Sequence, residues 1–349
     1  MPRLDHLPGR AFRQKEKEWL YFSGTAYLGI PHLPAFREAL SEGFDRYGTN
    51  FGGSRHSNLQ LFIFAEAEKA LAQWVGTESC LTVSSGSLAG QLLMRFLRQQ
   101  GPCQLAPNVH PALWPDADAN PARVSMTEWI ERTRQMLPPV EGGPIQLFCS
   151  SVDPLLGTHI SFDWLRELPE NRSYRLVIDD SHGLGLLGPT GAGIRSTLPQ
   201  FDHIEYVIVG SLGKALGLPG GAIFGPDHLL EHLRISPFFI GASPMVPAYL
   251  YAWLQVRDTV QQQRQTLLHN IRWLENHWPT PIPVQHQPAY PVFHLPKGNY
   301  AQHFEEHHIL ISAFPYPGPN DPVVERIVVN ALHQEGDLEE LVTQMMNVE

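Results

Sequence analysis

Short apolar runs that close on small or acidic residues alternate along this chain with longer stretches in helical register. "IQLFCSS" (145–151), "RLVIDD" (175–180) and "YVIVGS" (206–211) stay apolar until their polar ends. That is the pattern of parallel strands buried on both faces, with functional groups at their carboxyl ends. "SCLTVSSGS" (79–87) predicts another short strand and a turn. "HSNLQLFIFAEAEKALAQWVG" (56–76) spaces apolar and charged residues as a helix does and stops at Gly76, and "LAGQLLMRFLRQQG" (88–101) predicts a helix ending at Gly101. Glycine is the preferred residue just past a helix end.

Further on, a single long helical pattern runs from Pro247 to Trp278. "YPVFHL", "HILISAF" and "RIVVNAL" follow as strands and "GDLEELVTQMM" as a closing helix, joined by proline-rich loops. The alternation predicts an N-terminal segment over 1–40, a large α/β domain with a mainly parallel central sheet over 41–230, and a smaller C-terminal α+β domain over 231–349.

Charge and length then narrow the partners. A chain of 349 residues has room for one large and one smaller domain. Its formal net charge of -10, with 25 basic residues in no block, points away from nucleic acid and acidic membranes and towards small molecules. The first twenty residues are charged and lack the apolar core of a signal peptide, and no apolar run spans a bilayer, so the expected location is cytoplasmic. Three widely spaced cysteines argue against a disulfide framework or a CxxC metal site, and no HExxH occurs among the 17 histidines, so no metal is expected.

Candidate chemistry begins in "VIVGSLGKALGLPGG" (207–221), where Lys214 follows a buried strand pattern among glycines. The ordinary reading is a loop lysine facing water. A phosphate-binding Walker loop fails, because Ala215 stands where its hydroxyl residue belongs and Ile208 where its first glycine belongs. What remains is an amine nucleophile, as in Schiff-base chemistry with pyridoxal phosphate.

"RLVIDDSHGLGLLGPTGAG" offers two readings. Gly183, Gly185 and Gly188 match the GxGxxG of dinucleotide folds, but Pro189 and two more glycines follow where that motif opens a helix. In the other, Asp179 at a strand end pairs with a pyridinium nitrogen, and His182 orients it or contacts the cofactor. A turn cap and a loop histidine are the plain alternatives. At 84–91, "SSGSLAGQ" places Ser85, Gly86 and Ser87 at a helix start, where backbone N–H groups bind a phosphate or Ser85 simply caps the helix.

In that order along the chain, the motifs resemble the fold-type I pyridoxal-phosphate enzymes, and within them the α-oxoamine synthase group, relatives of the class I and II aminotransferases. The similarity runs through "SGTAYLGI", "GTNFGGSRHSN", "VSSGSLAG", "NVHPALW", "VIDDSHGLGLLGPTGAG", "VGSLGKALGLPGG" and "RIVVNALH", nearly the whole chain. The pairing of "DDSHGLGLLGPTG" with "GSLGKALG" is its specific part.

The resemblance implies a pyridoxal 5′-phosphate enzyme in which Lys214 carries the cofactor and later moves protons at the substrate α-carbon. It further implies that Asp179 faces the pyridinium, that His182 contacts the cofactor and that His110 stacks on its ring. Ser85, Gly86 and Ser87 cup the phosphate with the Ser211 hydroxyl nearby, and Arg326 clamps the substrate carboxylate, a task suited to its planar fork. The implied reaction is a decarboxylating condensation of an amino acid with an acyl-CoA in a homodimer with the site at the interface. The alternatives are aminotransfer, or cofactor binding without acyl transfer. The chain departs from the group at Thr25-Ala26, where relatives carry Asn-Asp, at Pro154, where they carry a serine, and at "AFPYPGP".

Overall fold

The computed structural model describes residues 3–107, 109–116, 124–137, 142–154, 156–280, 282–315 and 320–348. Position 108 of "NVHPALW" and positions 316–319 of "AFPYPGP" lie outside them. Among the described residues the strands are β1 (Ala11–Gln14), β2 (Lys17–Phe22), β3 (Ser79–Val83), β4 (Cys103–Leu105), β5 (Ile145–Ser150), β6 (Tyr174–Asp179), β7 (Ile204–Ser211), β8 (Gly221–Gly225), β9 (Gln285–His286), β10 (Val292–His294), β11 (Ile309–Pro315) and β12 (Val323–Val328). The chain divides into two compact units.

The larger unit, Pro34–Pro154 with His159–Arg257, is built on a sheet of order β3-β8-β7-β6-β5-β4. Neighbours β4 to β7 pair in parallel, and β8 runs antiparallel between β3 and β7, so β3 points the same way as β7. Every residue of β5 and β6 is buried, which explains runs that do not alternate: a sheet covered on both faces has no wet side to code for. Helix Gly86–Leu97 lays Ala89, Leu92, Leu93 and Leu97 into the core formed by Phe148, Val177, Val207, Val209 and Ile223.

Strand direction then fixes where chemistry gathers. The five co-directional strands end at one edge, and there β3 leads to Ser85 and Gly86, β4 to His110, β5 to Ser151, β6 to Asp179 and β7 to Ser211 and Lys214.

The smaller unit takes the chain up to Leu33, a short piece ending at Thr158, and everything from Asp258. Its sheet has the order β1-β2-β11-β12-β10-β9, antiparallel except where β11 meets β2. The β1–β2 hairpin is invisible in the charged string "QKEKEW", because its turn is made by Lys15 and Glu16 at φ 49° and 63° rather than by the glycine or asparagine such turns favour. Phe22, Ile311, Ile327 and Phe293 form one buried row across four strands. His333 stacks on Phe22 at 4.0 Å and Trp278 on Phe293 at 5.1 Å.

Two helical expectations change. The pattern from Pro247 is two helices, Pro247–Gln255 and Arg257–His277, broken at Val256, whose φ of -110° and ψ of 18° leave the helical region. The helix expected from His56 begins only at Phe62. Ahead of it the Ser57 hydroxyl bonds the Leu59 carbonyl and the Gln60 amide bonds that of Ser57, local bonds that compete with helix. Gly76 ends it in the left-handed region, at φ 82°.

His333 ties the smaller unit together. Its Nδ1 accepts from the Asn330 N–H at 3.0 Å, its Nε2 bonds the Tyr21 carbonyl at 3.0 Å, and Asn270 donates to the carbonyls of Asn330 and His333. One ring nitrogen accepting and the other donating is the pattern of a neutral imidazole. Burial, aided by the Arg10 charge and only partly opposed by the Tyr21 carbonyl, lowers its pKa to about 3. The unfolded chain therefore takes up a proton near pH 6.5 that the folded chain refuses, and stability falls as pH drops below that value. Between pH 7.5 and 5.0 the wild type is expected to lose ~2 kcal/mol more than a His333→Gln variant, measured by denaturant unfolding at the two pH values.

Candidate active site

The start of helix Gly86–Leu97 shows why "SSGSLAGQ" has its glycines. A Cβ on Gly86 would stand 2.8 Å from Ser211 Cα, and one on Gly90 would stand 2.5 Å from the Ala112 carbonyl oxygen. Gly221 is equally constrained, at 2.3 Å from the Ser85 carbonyl. The helix tip is thereby pressed against the end of β7 on one side and the His110 segment on the other. Ser85 is the helix cap, its hydroxyl accepting from the Leu88 N–H at 3.1 Å. The N–H groups of Gly86 and Ser87, the first two of the helix, carry the positive end of its dipole.

Gln91, one turn further in, holds the segment after His110 by donating to the carbonyls of Ala112 (3.1 Å) and Trp114 (2.9 Å). His110 accepts at Nδ1 from the Ala112 N–H, 3.1 Å away, which places the ring hydrogen on Nε2. The same Nδ1 lies 4.0 Å from Asp179 Oδ2. Burial lowers the His110 pKa, the Asp179 charge works against that, and the Lys214 charge adds to it. The imidazole thus sits within the field of both residues in its neutral form.

At the end of β6, Asp179 is almost fully buried and accepts the Ser181 N–H at 2.9 Å. Ser181 in turn accepts the Ser211 N–H at 2.8 Å, and the Ser211 hydroxyl accepts the Gly213 N–H at 3.1 Å. This chain of bonds ties the two strand ends and sets the turn that leads to half-buried Lys214. His182 occupies the turn after Asp179, also half-buried.

Reading the sequence missed Asp180, whose signal was the doubled acid in "DDSH". It is fully buried, accepts from the Ser151 hydroxyl at 2.5 Å and the Ile194 N–H at 2.8 Å, and fills the space where Cβ atoms on Gly183 and Gly193 would stand. Burial raises its pKa to about 7, with the Asp179 charge pushing the same way. Asp180 therefore folds the 183–193 loop as a run of turns. No helix opens at Gly188, so the dinucleotide geometry is absent there.

In the larger unit the structure thus brings Gly86, His110, Asp179, Ser211 and Lys214 to one edge. Arg326 belongs to β12 of the smaller unit, where its guanidinium lies 5.4 Å from the centre of the Phe314 ring. Thr25 and Ala26 are exposed in a turn of that unit, and Pro154 follows β5.

A helix tip for an anion, a strand-end carboxylate, a flat imidazole and a lysine amine suit the phosphate, ring nitrogen, ring face and aldehyde of pyridoxal 5′-phosphate. The fold is the fold-type I architecture of pyridoxal-phosphate enzymes. The chain belongs to the aminotransferase class I and II family, whose model matches residues 135–345.

Among its relatives, the 8-amino-7-oxononanoate synthase of Klebsiella pneumoniae is 28% identical over 77% of this chain and 71% of the relative. A putative 8-amino-7-oxononanoate synthase of Thermosynechococcus vestitus is 28% identical over 93% and 87%. In three dimensions the chain is similar to Sphingomonas wittichii serine palmitoyltransferase, with a TM-score of 0.80 at 17% identity over 98% of this chain and 90% of the other. It is also similar to the 8-amino-7-oxononanoate synthase of Francisella tularensis, with a TM-score of 0.73 at 20% identity over 94% and 97%.

Proposed function

We propose that this chain is a pyridoxal-phosphate transferase of α-oxoamine synthase type, which condenses an amino acid with an acyl-CoA and releases the amino acid's carboxylate as CO₂. The observation that carries the reading is the meeting of Lys214, Asp179, His110 and the helix tip at Gly86 along one sheet edge. When bound, pyridoxal phosphate supplies electron withdrawal from the substrate α-carbon.

The chain's own residues do the rest. Lys214 would provide the amine that holds the cofactor and would move protons at the substrate α-carbon. Asp179 keeps the proton on the pyridine nitrogen. His110, fixed as its Nε2–H form by the Ala112 N–H, would offer its imidazole to the cofactor ring. Gly86, Ser87 and Ser211 hold the phosphate, with Ser85 shaping the helix start, and His182 steadies the cofactor from the turn beyond Asp179. Arg326 takes the substrate carboxylate as a bidentate donor. The working form is a homodimer in the cytoplasm. Phe62 is 91% exposed and Leu59 58% exposed, and Phe62 lines a cleft of ≈ 700 Å³ on the larger unit, an apolar edge that a second copy would cover. Among the described residues no helix is long and apolar enough to cross a membrane.

The test pairs each proteinogenic amino acid with short- and long-chain acyl-CoA and follows free thiol and CO₂ together. Equimolar release of both is the expected result. Keto acid formed from an amino acid without thiol release would replace the condensation with aminotransfer, the reading that the loss of the usual serine at Pro154 favours.

A further inference from the structure

The sheet of the smaller unit has two unlike faces. One carries the buried row Phe22, Ile311, Ile327, Phe293. One residue along each strand, the register puts Arg326 opposite Ser312 on β11 and opposite His294 on β10, while His294 pairs with Gln285 of β9. Directly opposed residues project their side chains to the same face about 5 Å apart. Ser23, just past β2, extends the row, its hydroxyl 2.7 Å from that of Ser312. The result is a transverse polar row, Ser23, Ser312, Arg326, His294, Gln285, across five adjacent strand lines.

Aromatic groups bracket it. Phe314, diagonal to Arg326, lies against the guanidinium. The Arg326 charge also reaches Tyr27, whose phenol bonds Tyr290 and is pushed by burial to about 12. Ser312 is buried, Gln285 is exposed at the sheet edge, and His294 and Arg326 are half-buried between them. Within this row a basic guanidinium and an imidazole stand side by side, the arrangement that a single carboxylate bridges with two or three donors.

We propose that His294 reads the α-carboxylate of the amino-acid substrate together with Arg326, as a second donor one strand away. The inference rests on the assignment of Arg326 to that carboxylate made above. Arg326 supplies the charge and the fork, and His294 adds an N–H that fixes which way the carboxylate turns, so its loss weakens the hold on amino acids while leaving the amine end untouched. Ser312, occupied by Ser23, acts as the inert wall on the other side.

The experiment uses holoenzyme and the amino acid that most strongly perturbs the visible absorbance of the bound cofactor, titrated beside its carboxylate-free amine (L-alanine with ethylamine, L-serine with ethanolamine). Dissociation constants come from absorbance and from calorimetry. His294→Leu is expected to weaken the amino acid about tenfold and to leave the amine unchanged. His294→Asn, which restores a donor, recovers part of the loss.

If Arg326→Ala weakens the amino acid and His294→Leu does not, the proposal is overturned and the role of Arg326 stands. If neither variant discriminates amino acid from amine, both assignments fall. Equal weakening of amino acid and amine by His294→Leu also overturns it, leaving His294 a packing residue, and thermal unfolding of each variant identifies one that has lost its fold.

Discussion

Lys214→Ala is expected to abolish covalent attachment of pyridoxal phosphate and to lower turnover on the order of a thousandfold or more, since on the proposed assignment one change removes both the amine for the cofactor and the base at the α-carbon. Borohydride treatment followed by peptide mapping should find a pyridoxyl group on the peptide containing Lys214 in the wild type and none in the variant. The fold should survive. The turn that carries Lys214 is fixed by Ser181, Ser211 and Gly213 through bonds that do not involve the lysine side chain, and β6 and β8, on either side of β7, are wholly buried. A second readout needs no cofactor. The Lys214 charge helps to lower the His110 pKa, so in the cofactor-free variant the His110 titration, followed by NMR, should move up. A variant that still carried the cofactor and turned over would make Lys214 the ordinary water-facing loop lysine.

How much of this was legible follows from which forces act locally. Parallel strands advertise themselves because burial on both faces demands unbroken apolar runs, and their carboxyl ends expose the polar residues that stop them. Asp179, Ser211 and Lys214 were therefore readable in "RLVIDD" and "YVIVGSLGK". Glycines that permit close approach were readable as glycines but not in purpose. Only the structure shows that Gly86 makes room for β7 and Gly90 for the His110 segment. The break at Val256 was hidden because residues on both sides of it favour helix. The partnership of Arg326 with His294 and Ser312 was beyond reach, because strand register is a long-range property that joins residues on three separate strands. Asp180 was masked by its neighbour, since two adjacent acids at a strand end give no local sign of which one turns inward to hold a loop.

Asp179→Asn separates charge from shape at the same site. The amide oxygen can still accept the Ser181 N–H that Asp179 Oδ1 now accepts at 2.9 Å, so the turn to Lys214 should keep its geometry. The negative charge proposed to face the pyridine nitrogen is lost, and with it the proposed means of keeping that nitrogen protonated. Turnover is expected to fall on the order of a hundredfold to a thousandfold, the range for removing one preorganised electrostatic partner, while borohydride still fixes the cofactor on Lys214. His110 gives the independent check. Asp179 raises its pKa against burial and the Lys214 charge, so neutralising Asp179 should move the His110 titration down, opposite to the shift in Lys214→Ala. Opposite movements require one imidazole to lie between an anion and a cation, the arrangement on which the proposed chemistry depends. Movement in the same direction, or none in either variant, would show that the three groups do not share a site.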